Sequence, residues 1–405
     1  MITEFRELLK PKKVYIPLTC VDYKIANVKV QVDETVLAGT VVAEKFKGKV
    51  KLPVISSVSG TVVGFEERLD RFGKIVDHIV IENDGLNNAV ELEAFENATS
   101  SQVRKVIYNM GIERINVDGI FTPIKFDLPI DHIVVNAIYT NEPFISTDYT
   151  FLTKHSELVA DGVMLIAKAA NCESITVIVD KYMPSEALYN LGKAIVDKNI
   201  NLLTIDTKKV KGSAERYIGK LVGKVLDPNL LNSGVIYTKV DTAKMIADVV
   251  KNGVVPTSRQ IAITGDGVKV NAIYEVKIGT PLTDIIDDLE GYNEVESMVL
   301  HVGNFLTGIQ LTDDSVSITA NIDSINLAEY SEVEEDVCIK CGDCNDVCPV
   351  GILPQNIMDA ELRSVNSRIV ELNTHECIEC GLCSYVCPSK INVLEWVRRA
   401  KRRVG

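Results

Sequence analysis

The sequence predicts a multidomain chain of mixed α/β and α+β character: four modules in series, the last a helical metal-binding module. Three observations carry this. Eight of the ten cysteines crowd between positions 338 and 387. A central stretch alternates apolar runs of strand length with amphipathic helical segments. On either side of it lie short β-prone runs broken by turn residues. The composition, 46% hydrophobic and 24% charged over 405 residues, belongs to a folded globular chain of several domains. The net charge of −13 lacks the basic footprint of a nucleic-acid protein, so no nucleic-acid partner is expected. No apolar run approaches the roughly 18–20 residues of a spanning helix. Acids at Glu4 and Glu7 interrupt the stretch where a signal peptide is apolar, so a cytoplasmic chain is expected.

Residues 12–85 are read as a compact β sandwich. Its short runs are Val14–Ile16, Val28–Val32, Thr40–Ala43, Val54–Ser57, Gly60–Phe65 and Ile79–Ile81. The Val58-Ser-Gly-Thr-Val62 hairpin is similar to that of biotinyl and lipoyl domains. No lysine sits at its tip, so no carrier-arm cofactor is expected. Residues 98–255 alternate strands (Ile133–Ala137, Ile175–Val179, Leu202–Ile205, Val235–Tyr237) with helices (Thr153–Ala170, Ser185–Asp197, Ser213–Val225, Asp241–Asn252). That pattern predicts a parallel, loosely Rossmann-like sheet, with Ser213 and Asp241 as helix N-caps. No Gly-x-Gly-x-x-Gly or P-loop marks it. Residues 258–328 return to short strands round one helix, Leu282–Leu289, as in a β-grasp module. An acidic stretch, Glu332–Asp336, is read as the linker to the last module, 331–405.

That module carries the chemistry. Its runs are Cys338-Ile-Lys-Cys341-Gly-Asp-Cys344-Asn-Asp-Val-Cys348-Pro349 and Cys377-Ile-Glu-Cys380-Gly-Leu-Cys383-Ser-Tyr-Val-Cys387-Pro388. Both read C-x2-C-x2-C-x3-C-P, the ligand run of two-cluster ferredoxins. That likeness implies two [4Fe–4S] clusters, with the fourth cysteine of each run serving the other cluster. Cys338, Cys341, Cys344 and Cys387 would hold one; Cys377, Cys380, Cys383 and Cys348 the second. Structural zinc, which prefers paired cysteines, fits the spacing poorly. The 28 residues between the runs read as mostly helical.

The module order and several motifs resemble the RnfC family, the C subunits of Rnf electron-transport complexes, and the related electron-transfer protein associated with proline reductase. The motifs are Cys377–Ile391, Cys348-Pro-Val-Gly-Ile-Leu-Pro-Gln355 and the Pro53–Val63 hairpin. The resemblance implies a barrel-sandwich hybrid at 12–85 and a domain like the complex I NADH-oxidising flavoprotein at 98–255. It further implies a soluble-ligand-binding (SLBB) β-grasp module at 258–328 and the dicluster ferredoxin domain at the end. Family members carry FMN on a loop reading Gly-x-Gly-Gly-x-Gly-Phe-Pro-Thr. Here the loop is Arg114-Ile-Asn116-Val117-Asp-Gly119-Ile-Phe-Thr122, with side chains where phosphate would need bare backbone. The family's Ala-Glu-x-Glu-Pro becomes Tyr139-Thr140-Asn141-Glu142-Pro143, and its Asn-Val-Gly-Thr becomes Lys239-Val240-Asp241-Thr242. These departures argue against bound FMN and against NADH dehydrogenase activity of the chain itself.

The expected function is therefore single-electron relay through two clusters between redox proteins such as a ferredoxin, a flavoprotein or other reductase components. Association with a membrane complex would be peripheral, on its cytoplasmic face. An NADH-oxidising FMN protein of such a complex is the alternative, and a scaffold with structural clusters a third. Cys20 and Cys172 are read as buried small hydrophobes. The five histidines show no ligand spacing, although His375 lies two residues before Cys377. Lys340 is read as solvated and Trp396 as a packing anchor. Between Ser331 and Ile391 there are 11 acidic and 4 basic residues, whereas Asn392–Gly405 holds 5 basic and 1 acidic. The basic tail offers a surface for an acidic partner or anionic lipid, or is simply a solvated helix end.

Overall fold

The structure, a computed structural model, describes residues 4–19, 23, 25–47, 50–112, 126, 129–138, 147–207, 218–219, 221–223, 234–295, 297–303, 308–330 and 334–404. They form two units, each taken by itself.

The first unit begins with β1 (Phe5–Leu8), followed by β2 (Lys13–Pro17), β3 (Ile25–Val28), β4 (Thr35–Val36), β5 (Val41–Lys47), β6 (Val50–Ile55), β7 (Gly60–Leu69) and β8 (Ile75–Asn83). Strands β2 to β8 make two antiparallel sheets, ordered β2-β8-β7-β4 and β3-β5-β6. Alternation turns Val14, Ile16, Ile79 and Ile81 into one core with Val42 and Val58. The strand expected at Val28–Val32 lies earlier, at Ile25–Val28, and the chain turns at Val32-Asp33: the Glu34 carboxylate accepts the Gln31 N–H at 2.9 Å, and Glu34 N–H returns to the Gln31 carbonyl. Gly60 is required where it stands. Its φ is +156°, and a Cβ there would lie 1.9 Å from the Glu82 carbonyl oxygen.

His78 on β8 is buried, and its Nδ1–H donates to the Val76 carbonyl at 2.9 Å. Burial pulls its pKa down to about 4, against the smaller opposing effect of that hydrogen bond. The neutral ring is the one that fits. Its contribution is therefore complete above the unfolded value of about 6.5 and is lost as pH falls towards 4, by about 3 kcal/mol in total. Urea unfolding from pH 7.5 to 4.5 is expected to show this decline, and His78→Gln to flatten it.

The second module runs α1 (Ser100–Asn109), β9 (His132–Ala137), α2 (Thr147–Ala170), β10 (Ile175–Asp180), α3 (Ser185–Ile195), β11 (Asn201–Ile205), β12 (Val235–Lys239) and α4 (Val240–Asn252). Thr99 opens α1 with a capping box to Gln102. The four strands are parallel, ordered β11-β10-β9-β12. Helices cover the sheet, which is why β9, β10 and β12 read as near-continuous apolar runs. A Cβ on Gly162 would lie 1.7 Å from the Ala243 carbonyl oxygen, so α2 and α4 meet backbone to backbone. Asp241 is not the N-cap of α4. Lys239 holds the extended capping position, and Asp241 lies inside the first turn. The helix expected at Ser213–Val225 falls largely outside the described residues.

The third module comprises β13 (Ser258–Thr264), β14 (Ala272–Lys277), α5 (Leu282–Asp288), β15 (Met298–Val302), β16 (Ile309–Leu311) and β17 (Ser324–Glu329). Its six-stranded sheet is ordered β1-β14-β13-β17-β15-β16. One strand thus comes from outside 258–328: β1 pairs in parallel with β14, Phe5 opposite Ile273. Leu282, Ile285, Ile286 and Leu289 seat α5 on the core of this sheet.

The second unit contains α6 (Asp343–Asp346), α7 (Pro354–Leu362), α8 (Asn366–Glu371), a 3-10 turn (Thr374–Glu376), α9 (Leu382–Tyr385) and α10 (Val393–Val404). Ile357, Ile369, Val393, Val397 and Ala400 form its core. The region between the cysteine runs is two helices, broken at Ser364, whose φ is +56°. The acidic stretch does not behave as a free linker where it is described. Asp336 N–H donates to the Ser389 carbonyl, and the Glu335 carboxylate accepts Asn392 N–H at 2.9 Å. Among the described residues no helix is long and apolar enough to cross a membrane.

Candidate metal centre

The two cysteine runs adopt one backbone form. Lys340 and Glu379, each just before the second cysteine of its run, have φ of +57° and +54°. Gly342 and Gly381, just after it, have +89° and +76°. Gly351 and Lys390, three residues past the last cysteine, have +74° and +56°. Left-handed residues alternating with cysteines curl each run into an arc with its thiols on the inside. Glycine takes this form freely, whereas Lys340 and Glu379 adopt it at a cost of about 1 kcal/mol each. The arcs lead into α6 and α9, whose first turns bury Cys344 and Cys383.

Cys338, Cys341, Cys344 and Cys387 line one recess, together with Gln355, Met358, Ile391 and Val393. The other thiols lie together too. Burial raises the Cys380 pKa, and neighbouring Cys348 adds to the rise. Burial pushes Cys383 up to about 12, with further contributions from Cys377, Cys380 and, across the two runs, Cys344. The nine cysteines of the described residues, these eight and Cys172, are all free thiols.

An all-sulfur donor set in apolar surroundings fits an iron–sulfur cluster. Desolvated thiols lose their protons there only against compensating positive charge, which iron supplies. Backbone N–H groups already point at the sulfurs. Glu379 N–H lies 3.4 Å from Cys377 Sγ, and the amides of Gln355, Leu382 and Ser384 offset part of the rise that burial gives Cys344, Cys380 and Cys383. Such donors favour the thiolate and tune a cluster's potential. Among the described residues, no three His, Cys, Asp or Glu close to the spacing of a single metal ion.

The surroundings of the two runs differ. Glu379 accepts from Arg398 Nε at 2.9 Å and from Lys401 Nζ at 3.2 Å; Lys401 also donates to the Cys377 carbonyl at 2.9 Å. Burial pushes the Glu379 carboxyl up, and these two cations more than reverse it, leaving it below the ordinary range. Arg403 forms a two-pronged pair with buried Glu361, at 2.7 and 2.8 Å. Arg399 and Arg402 share Glu395. The basic tail is therefore paired within its own unit, while Arg399 and Arg402 stay 52% and 67% exposed. The sequence pattern did not lead to this clamp, although Arg398 and Lys401 stand three apart on one helical face.

Other candidates fall away from the centre. Cys172 is buried, its thiol facing the Ser174 carbonyl at 3.6 Å. His375 is exposed and meets Glu376 at 3.3 Å. Lys340 is exposed, and Trp396 is half-buried under the Arg399 guanidinium. Cys20, the loop 114–122 and Tyr139–Pro143 lie outside the described residues.

The described part of the flavin element, Lys239–Thr242, does not fit a phosphate. The Asp241 carboxylate accepts the Thr242 N–H at 2.7 Å and lies 3.2 Å from its hydroxyl. A negative charge thus already stands at the α4 N-terminus, where a flavin phosphate would need open donors. Lys239 is drawn to Asp323 at 3.0 Å, and Asp323 also accepts from Arg259 at 2.6 Å. Arg259 and Asp241 lie 3.8 Å apart. A four-membered ion network ties the end of β12 to the third module.

Comparison with known proteins agrees with this geometry. Residues 3–86 match the RnfC barrel sandwich hybrid domain, and residues 331–388 match the 4Fe-4S dicluster domain. The C subunit of the Na(+)-translocating ferredoxin:NAD(+) oxidoreductase complex of Acetobacterium woodii is 30% identical over 98% of this chain and 91% of its own length. The chain belongs to the RnfC family. It is an iron–sulfur electron-transfer protein. An RnfC-family relative from Haemophilus influenzae, the C subunit of an ion-translocating oxidoreductase complex, is 26% identical over 85% of this chain but only 43% of its own length. A chain of an NAD+-reducing [NiFe]-hydrogenase matches at 12% identity with a TM-score of 0.46, over 76% of this chain and 63% of that one.

Proposed function

We propose that this RnfC-family chain relays single electrons through two [4Fe–4S] clusters between redox partner proteins. Cys338, Cys341, Cys344 and Cys387 hold one cluster; Cys377, Cys380, Cys383 and Cys348 hold the other. The observation that carries this is the recess, in which three cysteines of one run stand with the last cysteine of the other. When bound, the clusters accept and release one electron each without a proton. The protein's own share is to hold the thiols, exclude water with Met358, Ile391 and Val393, and aim amides at sulfur. Module by module, residues 12–85 form the barrel-sandwich hybrid and 98–255 a Rossmann-like domain of complex I flavoprotein type. Residues 258–328, joined by β1, form an SLBB β-grasp module, and 331–405 the dicluster domain.

The relatives' names place their own proteins in ion-translocating oxidoreductase complexes. By that analogy this chain works beside other redox proteins of such a complex, peripherally at the cytoplasmic face of a membrane. We assign it no flavin step, because Asp241 holds the donors that a flavin phosphate would need. Anaerobic purification with iron, sulfide and flavin quantified is the test. About eight irons per chain and no flavin are expected. About four irons would overturn the two-cluster reading, and stoichiometric FMN bleached by NADH would restore the hydride-oxidising alternative.

A further inference from the structure

We propose that the loop Val337–Cys341 is the surface on which a redox protein with a basic rim round its own cofactor docks to exchange electrons. This rests on the reading of Cys338, Cys341, Cys344 and Cys387 as cluster ligands. The two runs offer a controlled comparison, because their backbones agree and their cover does not. In the second run, the loop before Cys380 is roofed by α10: Arg398 and Lys401 close on Glu379, and Lys401 reaches the Cys377 carbonyl. Ile378 there is half-buried. Among the described residues, the matching loop of the first run has no such roof. Val337 is 80% and Ile339 67% exposed, and among the described cysteines Cys341 is the exposed one.

Apolar side chains this bare, flanking a ligand sulfur, have the form of an interface centre. The rim sets the partner's charge. Glu334, Glu335, Asp336, Asp343 and Asp346 are all exposed around the loop, against the exposed cations Lys340 and Lys390, the latter beside Ser389, which bonds to Val337. A partner with basic residues is steered to this face. The same partner is repelled from the second run by the cations of α10, so charge selects the orientation as well as the encounter. Exchange moves one electron from the reduced chain to the oxidised partner; no bond is made or broken and no proton moves.

Cytochrome c, whose haem edge is ringed by lysines, serves as the probe acceptor. The full chain, anaerobic and with its iron counted, is reduced with dithionite and mixed with the probe in stopped flow. Transfer is expected to slow about tenfold between about 20 and 200 mM salt. Ile339→Lys and Val337→Lys are each expected to slow it about tenfold at low salt. Val370→Lys, at another exposed apolar position on α8, is expected to match the parent. A small neutral quinone is expected to reoxidise all forms equally. If both loop variants keep the parent rate at low salt, or if Val370→Lys slows it as much, the docking surface is wrong. Iron well below about eight in the parent overturns the cluster reading instead, and the two failures are thereby told apart.

Discussion

Cys387→Ser is expected to halve the iron content, from about eight to about four atoms per chain, and to spare the cluster of its own run. Cys387 follows Cys377, Cys380 and Cys383 in sequence, yet the recess it lines belongs to Cys338, Cys341 and Cys344. Double variants separate the two arrangements, since deletions within one cluster cannot remove it twice. Cys341→Ser with Cys387→Ser is expected to retain about four irons, no fewer than either single variant. Cys380→Ser with Cys387→Ser is expected to retain almost none. The reverse pattern in iron and absorbance would mean that each run serves a single cluster by itself.

Asp323→Ala is expected to carry the largest stability cost in the first unit. Arg259 is only 5% exposed, and Asp323 is its closest carboxylate, at 2.6 Å; Lys239 approaches the other oxygen at 3.0 Å. Removing that carboxylate takes from buried Arg259 its partner at 2.6 Å and from Lys239 its partner at 3.0 Å. Breaking a buried pair in this way costs about 3 kcal/mol, and the melting of this unit should fall by on the order of 5–10 °C. Arg259→Met with Asp323→Leu replaces both charges by apolar volume and is expected to recover most of the loss. Calorimetry of the three proteins decides the matter: an unchanged transition in Asp323→Ala would mean that the network does not hold β12 to the third module.

What could be read from the residues depended on how local the signal was. The strands β9, β10 and β12 are apolar on both faces because helices cover both sides of a parallel sheet, and that leaves a trace in each strand alone. The cysteine runs declare themselves by spacing, and the left-handed residues at Lys340 and Glu379 follow from the same geometry. Strand β1 gave no such trace. Phe5-Arg-Glu-Leu8 is half polar, and its partner β14 lies at the far side of two intervening modules. The clamp on Glu379 was hidden for a related reason: it depends on how α10 comes back over the second run. Asp241 misled because an acid at the start of a helix reads as a cap. The extended backbone at Lys239 puts the cap two residues earlier and turns Asp241 on its own neighbour instead.

The placement of β1 also bears on how the chain is made. The strand is made long before Ile273, its partner, which appears only after the β module and the parallel sheet have been synthesised. The six-stranded sheet therefore closes late, across a sequence separation that makes its last pairing slow. Until then the outer edge of β14 is a row of unpaired amides and carbonyls, ready to take a strand from another nascent chain. A fragment cut at Ser258 would carry that edge permanently. Within the intact chain, Phe5–Leu8 acts as an edge guard for a sheet that does not yet exist when that strand is made.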